Sequence, residues 1–469
     1  MQEPTTLPLV VQKYGGTSIG TAERLLNVAE IVKSSLTTSR VIVVLSAMSS
    51  LKKTEGTTAR LLEAAHEALT PDSSRYLDII EKIEHDHIKA VRLAVTAPDI
   101  RAATEADIKH ECKTLKGFLE AAQRRREAVR AHLHRRAAVA AAGYIGLDKV
   151  VGQPFGAPDH AFYTYLTARL RATLARGPCV PVVTGYLGPV PGSLLGTIGR
   201  GYTDLTAALV AVAVDGAELQ IWKEVDGIFT ADPRKAPKAR LLASISPEEA
   251  AELTYYGSEV IHPFTMAQVI RARIPIRIKN TFRPDGAGTV ILPNGMAVDG
   301  AGASHVSQSK KARAENHPTA VTIKDDVTVI NVHSNRKSVS HGFFASIFTT
   351  LDKFGIVVDL IATSEVHISM ALGPNVLDPR LDMAIAELRA HGDVDVIKDL
   401  AILSLIGQLK HMIGIASRMF TVLAKHGVNI EMISQGASEI NISCVIEAKF
   451  AEVAIRAVHD EIILADMEQ

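Results

Sequence analysis

Gly199-Arg200-Gly201-Tyr202-Thr203-Asp204, running straight into Leu205-Thr206-Ala207-Ala208-Leu209, is the stretch on which the fold turns. Its glycines let the backbone approach a ligand closely. Thr203 or Asp204 can cap the helix that follows, whose exposed N–H groups favour an anion. Arg200 adds a planar fork suited to a carboxylate or a phosphate. The helical stretch from Leu205 to Val214 is apolar nearly all round, the mark of a buried helix. A second glycine turn, Lys13-Tyr14-Gly15-Gly16-Thr17-Ser18, follows the apolar run Leu9-Val10-Val11 and repeats the same logic. Two such turns in one chain point to a site holding two anionic partners.

Outward from these turns, residues 9 to about 291 read as alternating strands and helices. Val41-Ile42-Val43-Val44-Leu45, Cys179-Val180-Pro181-Val182-Val183 and Ile274-Pro275-Ile276-Arg277-Ile278 are short apolar runs ending in turn or polar residues. Such runs, without strict alternation, suit parallel strands covered on both faces. The texture changes from about Asn294 to Pro318, where Asn294-Gly295, Gly300-Ala301-Gly302 and Ser307-Gln308-Ser309 mark a linker. Beyond it lies an approximate repeat. One copy reads strand Val327 to Val332, helix Phe343 to Phe354, strand Val357 to Ile361. The other reads strand Ile402 to Ile406, helix Ile415 to His426, strand Asn429 to Ile433. Each continues into a further strand and helix, and each has glycine after its first helix, Gly355 and Gly427, where a left-handed cap is expected.

Composition narrows the classes. A chain of 469 residues, 47% hydrophobic, has room for two or three domains with buried cores. Its 51 basic residues balance 51 acidic ones, so no global field draws it to nucleic acid or membrane. The three cysteines, Cys112, Cys179 and Cys444, are widely spaced, which fits a reducing compartment. Neither a basic, apolar leader nor a run of membrane-spanning length occurs, so a cytoplasmic protein is expected. Glu84-His85-Asp86-His87 diverges on a helix and reads as a solvated face rather than a metal site. Arg124-Arg125-Arg126 and the basic residues after it lack the interleaved aromatics of an RNA site.

With these residues quoted, the chain resembles an aspartate kinase of the fungal monofunctional type. The likeness covers nearly its whole length and is densest at Val11 to Ser18, Gly199 to Leu205, Trp222 to Arg234 and Tyr255 to Pro263. It implies an α/β amino-acid-kinase three-layer sandwich with a mainly parallel sheet, followed by two ferredoxin-like (βαββαβ) ACT domains. The expected boundaries are 1–293 for the catalytic domain, 294–318 for a linker, and 319–397 and 398–469 for the two ACT domains.

The resemblance also implies roles. Lys13 stabilises the migrating phosphoryl group while Gly15 and Gly16 present amides, and Thr17 and Ser46 match the substrate pocket. Arg200 matches the aspartate-carboxylate clamp, with Thr203 and Asp204 adjacent in the active site. Asp204 could orient either Lys13 or magnesium. Lys223, Glu224, Phe229 and Arg234 match the nucleotide loop, Phe229 offering adenine a ring at a position often held by tyrosine. Glu259 stands where bacterial relatives often carry a lysine that contacts ATP. Phe343, Phe344, Asp359, Thr363 and Ser364 resemble an effector pocket for lysine or threonine, with Asn429 and Ile430 at the equivalent corner of the second copy. The implied ligands are L-aspartate and ATP with nucleotide-bound Mg2+, and homo-oligomers through the ACT domains are implied as well.

Two departures stand out. Relatives carry an Asp-x-x-x-Ser-x-Gly-Glu-x-x-Ser block whose glutamate lies in the aspartate pocket, and the interval Ala131 to Tyr144 has no such block. Lys52 also replaces a substrate-contacting threonine. The expected activity is transfer of the ATP γ-phosphate to the β-carboxylate of L-aspartate, feeding homoserine, threonine and methionine or a specialised-metabolite pathway. The alternative is a catalytically impaired paralogue that senses amino acids or assembles with partners.

Overall fold

The computed structural model describes residues 7–49, 56–70, 73–124, 160–174, 179–186, 202–256, 261, 263–293, 297–298, 306–307, 317–334, 342–364, 366–373, 378–410, 412–436 and 440–467. They divide into two compact units, Met1–Gly227 with His262–Pro293, and Ile228–Ile261 with Asn294–Gln469. This differs from a single cut after residue 293. Ala231 and Ala236 are buried in one cluster with Val321, Leu403 and Met419, which places their segment in the second unit.

The first unit runs β1 (Leu9–Tyr14), α1 (Ala22–Ser35), β2 (Arg40–Leu45), α2 (Thr57–Leu69), α3 (Arg75–Ala94), α4 (Pro98–Arg124), α5 (His160–Leu174), β3 (Val182–Thr184), α6 (Tyr202–Ala213), β4 (Glu218–Lys223), α7 (Pro263–Arg271), β5 (Ile276–Asn280) and β6 (Thr289–Ile291). Within this unit the sheet order is β3-β2-β1-β4-β5-β6. Every pairing is parallel except that of β5 with β6. The apolar runs of β1 and β2 are buried along almost their whole length, as covering on both faces requires. Helix α6 is buried from Asp204 to Ala211, which accounts for its lack of a polar face.

Polar groups inside this sheet are paired. Gln12 donates to Ser35 Oγ (2.8 Å) and to Gln220 Oε1 (3.0 Å), and Tyr14 Oη donates to Gln12 Oε1 (3.1 Å). Burial pushes the Tyr14 hydroxyl far above its ordinary range, so it stays a donor. Helices α2, α3 and α4 form a core of their own around Ala64, Tyr76, Ile80 and Leu119.

In the second unit, from residue 318 onward, the main elements are β7 (Pro318–Ser334), α8 (Phe343–Lys353), β8 (Val358–Thr363), β9 (His367–Leu372), α9 (Asp378–Leu388), β10 (Gly392–Gly407), α10 (Ile415–Lys425), β11 (Met432–Gln435), β12 (Asn441–Glu447) and α11 (Ala451–Val458). They build a six-stranded sheet, β8-β9-β7-β10-β12-β11. The two long central strands are each shared. Residues 327–334 of β7 pair with 392–400 of β10, and residues 318–324 pair with 402–407, with a shift in register between the two stretches. Asp326 and Asp399, one on each strand at that shift, adopt positive φ (58° and 59°). The second βαββαβ copy therefore takes its fourth strand from residues 318–324. Copies bounded at 319–397 and 398–469 are a linear approximation to two modules that exchange a strand. Gly355 and Gly427 stand at φ 64° and 69°, the left-handed conformation expected after each first helix.

The cysteines give a check on this packing. Burial raises the Cys112 thiol and pushes that of Cys444, inside β12, up to about 12, whereas Cys179 is exposed. Maleimide near neutral pH should label Cys179 fast and the other two only after unfolding. The fast phase should vanish in Cys179→Ser.

Candidate active site

In an open parallel sheet, ligands bind beyond the carboxyl ends of the strands where the strand order reverses. Here that place is β1, which has β2 on one side and β4 on the other. Lys13, aligned with Val44 of β2 and Ile221 of β4, lies at this end of β1. Its Nζ stands 2.7 Å from Asp204 Oδ1, and the two side chains are only 10% and 11% exposed. The contact is ionic rather than well aligned, since Asp204 Oδ1 takes no directed hydrogen bond among the described residues. Asp204 sits in the first turn of α6, where the helix dipole favours a carboxylate. Its partner among the described residues is Lys13.

The turn after β1 fits closely against the loop after β2. A Cβ on Gly16 would lie 2.4 Å from the Ala47 carbonyl oxygen, so only glycine fits there. Ser49 N–H donates to Gly16 O (3.0 Å) and Ser46 N–H to Tyr14 O (3.1 Å). Beyond β3, Gly185 N–H donates to Leu45 O (2.6 Å), and Gly185 O accepts the Thr206 hydroxyl (2.7 Å). A Cβ on Gly185 would come within 2.5 Å of Thr203 Oγ1. Ser46, Thr203, Asp204, Lys13 and the Gly15-Gly16-Thr17 turn thus gather at one edge of the sheet.

Glu224, just past β4, accepts from Thr17 Oγ1 (2.6 Å) and Ser18 Oγ (3.1 Å). In this structure its carboxylate fastens the first glycine turn. Lys223 O accepts from Thr281 N–H (2.8 Å) and from the Thr281 hydroxyl (3.1 Å). Sequence reasoning assigned no role to Ser18 and Thr206, although both lie in the quoted motifs, and passed over Gly185, a small residue with no motif of its own. Arg200 and the glycines flanking it lie outside the described residues, as do Lys52, Glu259 and the interval Ala131 to Tyr144.

Phe229 and Arg234 belong to the second unit. Phe229 bridges to Leu241 across a hairpin. The Arg234 guanidinium grips Asp232 with Nε and Nη2, at 3.0 and 2.7 Å, and side-chain hydrogen bonding holds the Asp232 carboxyl below its usual range. In the first βαββαβ copy, the Phe343 and Phe344 rings are 5.4 Å apart at the start of α8. Asp359 Oδ2 accepts from Lys324 Nζ at 2.7 Å. Gly373 makes room for this pair, since a Cβ there would lie 2.7 Å from Asp359 Oδ2 and 3.0 Å from Lys324 Nζ. Thr363 and Ser364 are exposed beside the β8–β9 turn, where Ser364 N–H donates to His367 O (2.8 Å). In the second copy Asn429 is exposed and donates to Glu431 (2.7 Å), while Ile430 packs on the module core.

The model of the amino acid kinase family matches residues 8–280, and that of an ACT domain matches residues 403–462. Over 97% of its length the chain is 47% identical to the aspartokinase of Saccharomyces cerevisiae, covering 92% of that protein. It is 43% identical to an aspartate kinase of Gibberella moniliformis, again over 97% of this chain, and of that protein too. The crystal structure of Escherichia coli aspartokinase III in complex with aspartate and ADP superposes with a TM-score of 0.71 at 27% identity, covering 97% of this chain and 100% of that one. The chain belongs to the amino acid kinase family, as one of its aspartokinases.

Breaking a buried ion pair leaves the remaining charge without compensation. Lys13→Met should therefore lower stability by about 3–5 kcal/mol in a denaturant titration. The double variant Lys13→Met/Asp204→Leu should recover most of that loss.

Proposed function

We propose that the protein transfers the γ-phosphoryl group of ATP to the β-carboxylate of L-aspartate, giving 4-phospho-L-aspartate and ADP. The observation that carries this reading is the buried Lys13–Asp204 pair at the strand-order reversal, beside a turn in which Gly16 leaves no room for a side chain. A carboxylate acceptor is already ionised at neutral pH, so no general base is needed. The task left to the protein is to hold two anions together and neutralise the charge between them.

Lys13 serves that need. At about 4 Å an ammonium stabilises an anion by about 4 kcal/mol where the effective dielectric is near 20. Asp204 keeps the ammonium aimed, and the amides of the Gly15-Gly16 turn and of the α6 N-terminus add fixed donors. Ser46, Thr17, Thr203 and Arg200 are assigned to aspartate. Lys223, Glu224, Phe229 and Arg234 are assigned to the nucleotide, an assignment that rests on the sequence resemblance. Magnesium would arrive on the ATP phosphates, and the Asp204 carboxylate is an oxygen donor of the kind that ion takes. Bound there, the ion would neutralise phosphate charge.

We assign an amino-acid effector to the first ACT module, around Phe343, Phe344, Asp359, Thr363 and Ser364. An effector's ammonium there must share or displace Lys324. β8 is a sheet edge with Ile361 open to solvent, which supports self-association through this module. No helix among the described residues is long and apolar enough to cross a membrane.

Hydroxylamine trapping tests the reaction. Purified protein with ATP, magnesium and aspartate should form aspartyl hydroxamate, and Lys13→Ala should cut kcat by about 100-fold or more. Absence of hydroxamate from the parent enzyme would refute the activity. Inhibition tests the effector site, since Asp359→Ala should raise the half-inhibiting threonine or lysine concentration by about tenfold.

A further inference from the structure

The hairpin that carries Phe229 and Arg234 is held by a buried relay that the reaction does not use. Thr230 and His459 are both fully buried, and Thr230 Oγ1 lies 2.9 Å from His459 Nε2. His459 Nδ1 is 3.0 Å from Asp460 Oδ1, and Lys238 Nζ donates to Asp460 Oδ2 at 2.9 Å. The Arg240 backbone N–H donates to Thr230 Oγ1, also at 2.9 Å. These partners set the direction of the chain. A backbone N–H can only donate and a carboxylate can only accept, so in the neutral imidazole Nδ1 donates to Asp460 and Nε2 accepts the Thr230 hydroxyl proton. Burial acts against the Asp460 anion, but hydrogen bonds from Lys238 and His459 outweigh it and hold its carboxyl below the usual range.

This relay is the polar centre of a larger attachment. Leu242 N–H donates to Ile228 O (2.8 Å) and Thr230 N–H to Arg240 O (2.9 Å), which closes the hairpin. Thr230 O in turn accepts from Val321 N–H at 2.8 Å, in the strand that completes the second ACT module. Ala231 and Ala236 are buried in that module's core against Val321, Met419, Val458 and Ile462. Lys235 pairs with Asp325 at 2.5 Å on the same side. The hairpin is thus built into the second module, and His459 is its one buried hydrogen-bonding side chain from the C-terminal helical segment among the described residues.

We propose that His459 is a positioning residue for the nucleotide. Through Thr230 it fixes the hairpin presenting Phe229 and Arg234, so the second ACT module sets the affinity for ATP. The proposal rests on the nucleotide assignment made above for those two residues.

Two substitutions at one position separate positioning from general support. His459→Asn keeps a polar atom near Nδ1 but cannot reach Thr230, whereas His459→Gln keeps one near Nε2. His459→Asn should raise KM for ATP and the Kd for ADP, read by calorimetry, by about tenfold while KM for aspartate moves less than about twofold. His459→Gln should restore ATP affinity to within about threefold of the parent. Thr230→Val, nearly the same shape without the hydroxyl, should reproduce the His459→Asn effect and decides the matter if that variant does not fold. Arg234→Ala is the reference, with a raised KM for ATP expected. If it rises there but not in His459→Asn or Thr230→Val, the inference falls and the nucleotide assignment stands. If both Michaelis constants rise together in those variants, His459 is only a support and the inference falls. If Arg234→Ala leaves KM for ATP unchanged, the nucleotide assignment fails and the inference with it.

Discussion

A positive and a negative charge, Lys13 and Asp204, share a nearly dry space beyond the ends of β1 and β2, and much of the first unit serves to keep them there. Desolvating two charges is costly unless their geometry is held. The surrounding elements supply that rigidity. β1 is paired on both sides, α6 is buried along most of its length, and the loops after β1, β2 and β3 are joined by backbone hydrogen bonds. Gly16 and Gly185 belong to the same constraint, because a single methyl group at either would push the loops apart. A preorganised ammonium is what phosphoryl transfer between two anions demands.

Much of this could be read from the residues alone. The continuous apolar runs of β1, β2 and β5 made a parallel sheet the natural solution, and the nearly wholly apolar stretch after Asp204 announced a buried helix. The glycine turn after β1 was visible as a turn, and the resemblance assigned it to the same site as the start of α6. The contact between Lys13 and Asp204 could not be read as such, because 190 residues of chain lie between them and only the sheet order brings them together. The contacts of Ser18, Gly185 and Thr206 carried no signal, because their partners are fixed only once the neighbouring strand is in place.

The second unit shows a different limit. The internal repeat was legible through its matching helices and the glycines after them, Gly355 and Gly427. The exchange of a strand between the copies was not, since residues 318–324 read as the lead-in to the first copy while their pairing is with 402–407. Lys324 was overlooked for the same reason. Its partner Asp359 lies on β8, two strands away across the sheet, and nothing in the local pattern joins a lysine at the end of one module's strand to a carboxylate in the other. An electrostatic contact between modules is a property of topology, and periodicity carries no information about it.

The exchanged strand also orders events during synthesis. Residues 318–324 leave the ribosome early, yet the stretch they pair with, 402–407, follows only after the whole first copy has emerged. Until β10 emerges, that strand waits with its amides and carbonyls unsatisfied, and the first copy lacks its own last strand, residues 392–400. The second copy closes around both ends of the nascent segment last. A product that stops short of β10 would leave a bare strand open to pairing with neighbours, so the completed C-terminal half protects the chain from aggregation.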